Sequence, residues 1–360
     1  MIGAPKMSQN KKTYCPLPFI AVDVLDKKFS PCAYIEKKIF KKYETIEDYY
    51  DSTELKNLQN NLSNGIKDTM CSTCWKNEDI GIQSMRQSVL QDRYMIEKNK
   101  ISQIKLHTGN RCNLSCMMCF PSVSTSWNKL WSKKNYPELF YKESGFENYD
   151  FYAEEYIKKN IDNILFIETL GGEPLFSKHF ISLLNWIIKE KKSKNITLYI
   201  ITNLTLLPKS LIKILSCFKK IVLTISLEGI GAVNDYIRWG SKFEIIDKNI
   251  KIAQSKGFNL SIVATANSLN LHRLQEIYVY AESLKIPVMQ VSVVKGWPSL
   301  DPTNLPKYLH NKVDIKFKKF LLTNADDNSL KKFIINWDRQ RNIDILDFMP
   351  EFEEFMQCMQ

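Results

Sequence analysis

The sequence predicts an α/β fold with a parallel sheet, preceded by a cysteine-rich stretch and followed by a helical one. Three observations carry this reading. Short apolar runs alternate with amphipathic stretches of helical period from residue 104 to residue 294. Seven of the nine cysteines fall before residue 120. No run of about 18 apolar residues occurs, so no membrane span is expected.

The chain has 360 residues, 44% hydrophobic and 25% charged, ordinary for a globular protein able to bury a large core. Its first residues, MIGAPKMSQNKKTYC, lack the apolar core of a signal peptide, which points to the cytoplasm. Cysteines in that reducing compartment are better read as metal ligands than as disulfides. The net charge of +11 comes from 50 basic and 39 acidic residues spread along the chain. No Arg-rich tract or basic run with interleaved aromatics stands out, so it is read as composition rather than an RNA-binding face.

Residues 11–36 hold Cys15-Pro-Leu-Pro-Phe and Pro31-Cys32, separated by a strand-like stretch from Ile20 to Leu25 and a polar Asp26-Lys27-Lys28 turn. Residues 46–66 have helical periodicity, with Ile46, Tyr49, Tyr50, Leu55, Leu58 and Leu62 on one face and Gly65 as a stop. Cys71-Ser-Thr-Cys74-Trp75 follows, then Glu78, Gly81, Ser84 and Arg86. Cys15, Cys32, Cys71 and Cys74 make a four-thiolate set that suits either a zinc ion or a whole iron–sulfur cluster. One ion needs its sulfurs near one point, whereas a cubane needs them at its corners.

Ile104, Leu106 and Thr108 alternate as a strand ending at Gly109. Cys112, Cys116 and Cys119 follow at once, spaced CxxxCxxC. Three thiolates in one loop reach three irons of a cubane and leave the fourth open, whereas most electron-transfer clusters take four cysteines. A disulfide pair or a zinc knuckle is the bland alternative, and His107 on the strand is poorly placed as a fourth zinc ligand. Residues 124–160 are aromatic- and lysine-rich (Trp127, Trp131, Tyr136, Phe140, Tyr141, Phe146). A helix near 124–133 and then an insertion are expected there, with the aromatics packing.

Strand 164–169 runs into Gly171-Gly172-Glu173-Pro174. Helix 177–191, strand 196–202, helix 208–217, strand 221–227, helix 242–256, strand 259–265, helix 271–284 and strand 288–294 complete the series. Six strands separated by helices imply parallel pairing with right-handed crossovers, and ligand groups sit at the C-terminal strand ends. The cysteine loop and the glycine pair both lie at such ends. Residues 295–360 begin with a proline-rich linker and read as helical beyond it. Cys217 and Cys358 stand apart from the rest, as buried or incidental thiols.

The CxxxCxxC loop after a strand resembles the signature of the radical S-adenosylmethionine (SAM) enzymes. That resemblance implies a partial (β/α)6 barrel and a [4Fe–4S] cluster on Cys112, Cys116 and Cys119. SAM would chelate the open iron, and its reductive cleavage would yield a 5′-deoxyadenosyl radical that abstracts hydrogen from a substrate. Gly171-Gly172-Glu173-Pro174 matches the family's GGEP motif, whose backbone and Glu bind the SAM amino group. Ser226-Leu-Glu228-Gly229 resembles the family's Ser-x-Asp-Gly, with Ser226 near the ribose and carboxylate and a Glu one methylene longer than the usual Asp. Arg238 matches an arginine that meets the SAM carboxylate, and Met118 a hydrophobic residue against adenine.

The N-terminal order of Cys-Pro-x-Pro-Phe, Pro-Cys, a leucine-rich helix and CxxCW-x-x-E-x-x-G-x-x-S-x-R is similar to the auxiliary-cluster module called twitch, a reduced SPASM domain. It implies a second [4Fe–4S] cluster on Cys15, Cys32, Cys71 and Cys74. Relatives often show Pro-Cys-Cys where this chain has Pro31-Cys32-Ala33, and the module here precedes the core. The expected organisation is a twitch-like module over 12–95, a radical SAM partial barrel over 100–296 and a helical extension over 297–360.

The resemblance thus implies an oxidoreductase or maturase acting on a peptide, a protein or a small molecule. An external one-electron donor of flavodoxin or ferredoxin type would serve it, with no membrane or nucleic-acid partner expected. The alternatives are a non-catalytic zinc or iron–sulfur protein that binds nucleic acid or, among enzymes, one that modifies nucleosides or RNA or activates a glycyl-radical partner. Nothing in the sequence names a catalytic acid or base.

Overall fold

A computed structural model describes residues 13–25, 28–35, 43–79, 84–93, 100–127, 148–321 and 327–357. Gly81, Cys358 and the expected insertion with Trp131, Tyr136, Phe140, Tyr141 and Phe146 lie outside the described residues. The chain divides into two compact units. The first comprises Met1–His107, Asp150–Thr169 and Lys194–Thr197, the second Thr108–Tyr149, Leu170–Ser193 and Leu198–Gln360. The fold is α/β, with eight strands among the described residues, mostly parallel.

In the first unit a single helical turn, α1 (Leu17–Ile20), leads into β1 (Ala21–Leu25), which pairs antiparallel with β2 (Lys28–Ser30). The helical stretch expected over 46–66 is two helices, α2 (Ile46–Tyr50) and α3 (Thr53–Ser63). The break has a local cause. Thr45 Oγ1 accepts from Asp48 N and Ser52 Oγ from Leu55 N, so each hydroxyl starts its own helix. The apolar face survives the break, with Ile46, Tyr49, Leu55, Leu58 and Leu62 fully buried.

Two further helices, α4 (Ser72–Asp79) and α5 (Met85–Arg93), precede β3 (Gln103–His107). β3 runs parallel to β1 with Asp23 opposite Lys105. Helix α6 (Phe151–Lys159) is capped by Asp150, and β4 (Phe166–Leu170) follows, its last residue belonging to the second unit. The strand order is β2-β1-β3-β4. Among the described residues the strands thus number eight: the six of the expected β/α series, β1 where a strand-like stretch was expected from Ile20 to Leu25, and β2, which was not expected.

The second unit continues with α7 (Lys178–Lys189), β5 (Thr197–Thr202), α8 (Lys209–Leu215), β6 (Lys220–Ser226), α9 (Ala232–Ile237), α10 (Phe243–Ser255) and β7 (Asn259–Ala266). It ends with α11 (Leu274–Ser283), β8 (Val288–Val293), α12 (Asp327–Arg341) and α13 (Glu353–Gln357). The order is β5-β6-β7-β8, with β6, β7 and β8 parallel. Phe180, Leu183, Leu184 and Ile187 recur at the helical period on α7 and are all buried, and β6 alternates buried with less buried residues.

Residues 121–126 form turns rather than the start of the helix expected near 124–133, whose remainder lies outside the described residues. Trp127 is fully buried, in ring contact with Trp297 and Trp337. Among the described residues no helix is long and apolar enough to cross a membrane.

Candidate functional site

The three-cysteine loop lies in the second unit, and its shape comes from main-chain pairing on two sides. On one side Ser115 N donates to Trp239 O (2.9 Å) and Met117 N to Ile237 O (2.9 Å). These two bonds bracket Cys116 and Arg238 and bring them face to face. On the other side the residues after β4 continue as a ladder: Thr108 N to Leu170 O (2.8 Å), Gly172 N to Gly109 O (2.7 Å) and Glu173 N to Arg111 O (2.9 Å). A Cβ on Gly171 would lie 2.6 Å from Gly109 O, and one on Gly172 2.5 Å from Arg111 O. The glycine pair is therefore needed to seat this segment against the cysteine loop, a role distinct from the approach to an ammonium expected from sequence.

The loop is held by Ser124, Thr125 and Ser126, which the sequence reading did not single out, and by Trp127, which it read as a packing aromatic. Ser126 Oγ donates to Cys112 O (2.7 Å), Ser124 Oγ to Leu114 O (2.6 Å) and Trp127 Nε1 to Cys116 O (2.9 Å). Thr125 Oγ1 accepts from Cys112 N (3.3 Å). The local signal was a run of Ser, Thr and Ser just after a metal-binding pattern, residues able to satisfy loop carbonyls.

The three thiols feel one another. Burial, then the neighbouring Cys116 charge, pushes Cys112 up to about 12. Cys116 is raised by its hydrogen bond with Cys119 and by burial, against the pull of Arg238. Arg238 is buried; burial by itself would weaken its charge, but Cys116, Glu228 and Cys119 outweigh it and hold the guanidinium cationic. Its Nη1 is 2.6 Å from Glu228 Oε2, while its Nε is buried without a hydrogen-bond partner. Three cysteines gathered in one loop, with Cys112 and Cys116 raised by their surroundings, beside a cation with an unsatisfied donor, fit an anionic cluster with a further acceptor near it.

Glu173 is fully buried and accepts from Leu175 N (3.0 Å), Thr202 Oγ1 (2.8 Å) and Asn203 N (2.7 Å). Burial raises its carboxyl above the ordinary range against these three donors. Two of its oxygens' positions on Oε1 and one on Oε2 are thus used by the chain itself, leaving room for one more donor. Asn203 also donates to Asn113 Oδ1 (3.0 Å), tying the end of β5 to the loop. Ser226 ends β6, and Met118 is half-buried between Met117 and Cys119.

The second cysteine set lies in the first unit. Cys15, Cys32, Cys71 and Cys74 line one cavity, with Leu17, Pro18, Ile35 and Arg86 also on its walls. Each strand of the local motif has a structural reason. Tyr50 OH donates to Phe19 O (2.7 Å) and Gln59 Nε2 to Pro18 O (2.8 Å), fastening the Cys-Pro-x-Pro-Phe segment to α2 and α3. Asp68 caps the turn over Thr69–Cys71, and its carbonyl accepts from Trp75 Nε1 (2.7 Å). Arg86 reaches Glu78 through both Nε (2.9 Å) and Nη2 (2.6 Å), donates through Nη1 to Tyr14 O (3.0 Å) and lies over the Trp75 ring.

The Cys15 thiol is raised by burial and by Cys32, Cys71 and Cys74 together, and burial lifts Cys32 to about 11. Four thiols whose ionised forms repel one another in a buried cavity fit a cationic metal centre. Among the described residues no group of three or more His, Cys, Asp or Glu side chains converges closely enough to hold a single metal ion. His107 is engaged elsewhere, with Nε2 2.8 Å from Asp23 Oδ1, and Cys217 donates to Lys213 O on α8 (3.3 Å).

Residues 106–281 match the family described as the Radical SAM superfamily. No curated protein matches the chain. Among solved structures, native anSMEcpe with bound AdoMet and Kp18Cys peptide is similar at 19% identity over 71% of this chain and 61% of that one, with a TM-score of 0.40. Streptococcus suis SuiB bound to the precursor peptide SuiA is similar at 15% identity over 90% and 74%, with a TM-score of 0.40. The methyltransferase TsrM from Kitasatospora setae, with cobalamin and a [4Fe–4S] cluster bound, is similar at 12% identity over 56% and 38%, with a TM-score of 0.39. The chain spans less than two thirds of the length of the anSMEcpe chain.

Proposed function

We propose that residues 106–281, which match the Radical SAM superfamily, form a radical SAM domain and that the chain is a radical SAM enzyme with an auxiliary iron–sulfur cluster. Cys112, Cys116 and Cys119 would hold a [4Fe–4S] cluster, and SAM would complete it. When bound, that pair supplies one-electron cleavage of SAM to a 5′-deoxyadenosyl radical able to abstract hydrogen from a substrate. Everything else is the work of this chain's own side chains.

Arg238, registered against Cys116 by the bonds at Ser115 and Met117, sets a positive charge beside the thiolates and offers Nε–H to a nearby anion. Glu173, with Gly171 and Gly172, presents a buried carboxylate and main-chain groups suited to an ammonium. Ser226 and Met118 are assigned to the ribose and adenine ends of the cofactor. Trp127, Ser124 and Ser126 keep the loop in register. The observation that carries the reading is the pairing of the cysteine loop with both the Arg238 segment and the Gly-Gly-Glu-Pro turn.

Cys15, Cys32, Cys71 and Cys74 are assigned to a second [4Fe–4S] cluster, closed by four cysteines and so suited to electron transfer or support. The proposed division is an auxiliary-cluster module over 12–95, the catalytic domain over 100–296 and a helical extension over 297–360. The substrate is a peptide, a protein or a small molecule. A flavodoxin- or ferredoxin-type donor in the cytoplasm would supply the electron.

Anaerobic reconstitution tests the proposal. About eight irons and eight sulfides per chain, four for each cubane, are expected, with 5′-deoxyadenosine formed after addition of dithionite and SAM. Replacing Cys112, Cys116 and Cys119 by alanine should abolish that product. Zinc in place of iron, with no deoxyadenosine, would overturn the assignment.

A further inference from the structure

Arg341, the last residue of α12, is 8% exposed. Its guanidinium carbon lies 3.2 Å from the centroid of the Trp337 ring and 5.8 Å from that of Trp239. Nη1 donates to Trp337 O (3.3 Å), the ordinary service of an arginine to the last carbonyls of a helix. That service uses one nitrogen. Nε and Nη2 are both buried and have no hydrogen-bond partner.

The Asp338 carboxylate does not use them. Asp338 accepts from Tyr236 OH through Oδ1 (2.7 Å) and from Ile345 N through Oδ2 (2.9 Å). Asp338 and Tyr236 therefore bear on Arg341 through their fields alone. Burial outweighs those fields and lowers the guanidinium to about 9, so its charge lacks a counter-ion suited to it.

The two idle nitrogens are not an arbitrary pair. Nε–H and Nη2–H point the same way along one edge of the guanidinium, and that edge matches two oxygens of a planar or tetrahedral oxyanion. One face of the group is covered by Trp337, so the two idle donors lie in its plane at the edge of that stack. We propose that this edge of Arg341 is a receptor for an oxyanion presenting two oxygens, a carboxylate or a phosphate. The site stands beside the cysteine loop within the same unit. Trp337 touches Trp127, whose Nε1 holds Cys116 O, and Trp239 O accepts from Ser115 N.

The test needs no bound cluster. The full chain is titrated separately with acetate and with inorganic phosphate at constant ionic strength set by chloride. Tryptophan fluorescence reports on Trp337 and Trp239, and thermal unfolding gives a second readout. A saturable response to either anion is expected, and which one responds identifies the class. Arg341→Lys keeps the charge but loses the fork, and should weaken that response by about tenfold or more. Arg341→Met removes an uncompensated charge, so it should unfold no earlier than the parent in chloride while giving no response to either anion. The proposal is overturned if the parent protein shows no saturable response to acetate or phosphate, or if either variant responds as the parent does.

Discussion

Arg238 and Glu228 form an ion pair, Nη1 to Oε2, of 2.6 Å, with only 11% and 3% of their side chains exposed. Glu228 is itself fixed at both main-chain ends, its N donating to Asn234 Oδ1 (3.2 Å) and its O accepting from Asn270 Nδ2 (2.9 Å). The carboxylate is thus delivered to the guanidinium by a rigid support, and the guanidinium is delivered to the thiols by the main-chain register at Ile237 and Trp239. The extra methylene of Glu over Asp has a use here: it closes the gap to Arg238.

Removing one partner of such a pair leaves a buried charge without its counter-charge, at a cost of roughly 3–5 kcal/mol. Glu228→Gln should therefore lower the unfolding free energy of the metal-free protein by an amount of that order in urea titrations. Glu228→Asp, which keeps the charge and loses the reach, should fall between the two. The double variant Glu228→Gln with Arg238→Met should recover most of the loss. Parent-like stability of Glu228→Gln would show that the pair does not hold the site.

The Gly-Gly-Glu-Pro turn makes a sharper steric prediction. Gly172→Ala places a methyl 2.5 Å from Arg111 O, a main-chain atom that cannot swing aside. Overpacking of this kind costs about 1–3 kcal/mol, and the strain falls on the ladder that carries Cys112. Lower iron content at the three-cysteine site is expected after reconstitution, with a reduced melting temperature. Gly65→Ala serves as the contrast: Gly65 has a positive φ, of 84°, which Gly172 does not, but nothing stands within 4 Å of the added carbon. A loss at Gly172 no larger than that at Gly65 would argue against contact with the cysteine loop as the cause.

Much of this architecture was legible before any coordinates. The alternation from β4 to β8 was readable because each strand is a short apolar run and each long helix carries a wide apolar stripe, as Phe180, Leu183, Leu184 and Ile187 show. Helix α9 was not. It is six residues long, and its buried positions include Asn234 and Tyr236, whose partners Ser241 and Asp338 lie outside it. The split at Ser52 was hidden by an apolar period that continues across it, although the capping serine was in plain view.

The candidate site divides the same way. Spacing alone grouped Cys112, Cys116 and Cys119, because ligands in one loop are local. The supports at Ser124, Ser126 and Trp127 act on main-chain carbonyls ten or more residues away, and periodicity carries no trace of such bonds. The glycine pair was recognised, but its contact with Gly109 and Arg111 depends on which strands lie side by side.

Acid stability should report on the C-terminal segment. Burial by itself would raise the Glu351 carboxyl, but the hydrogen bond with His272 Nε2 (3.0 Å) and the nearby Arg273 outweigh it and hold it at about 2, against an ordinary 4.5. The folded value lies below the unfolded one, so the contribution is present above about 4.5 and is lost as pH falls through 2. In urea titrations the stability difference between the parent and Glu351→Gln should be larger at neutral pH than at acid pH inside that window. A difference independent of pH would assign the effect to packing.

The auxiliary cavity yields a prediction in which metal content and activity come apart. Arg86 lies on the wall of the cavity lined by Cys15, Cys32, Cys71 and Cys74; burial, with Cys32, Cys74 and Asp68, raises the Cys71 thiol, and the Arg86 charge opposes them. Its position is set by the two-point bond to Glu78, which also accepts from Ser84 Oγ (2.5 Å). Glu78→Gln keeps the shape but replaces the carboxylate fork with a group that accepts on one side only, so Arg86 loses its fixed orientation. The thiolates then lose an oriented cation, and the cavity should retain iron less well. Replacing Cys71 and Cys74 by alanine should bring iron to about half the parent value, and Glu78→Gln should fall between that and the parent. Cys112, Cys116 and Cys119 belong to the other unit and keep their own supports. The iron that remains should therefore still support 5′-deoxyadenosine formation from SAM and dithionite. Full iron content in the Cys71 and Cys74 double variant would remove these residues from the ligand set. Loss of deoxyadenosine with the three-cysteine iron retained would instead make the auxiliary centre part of the path by which the electron arrives.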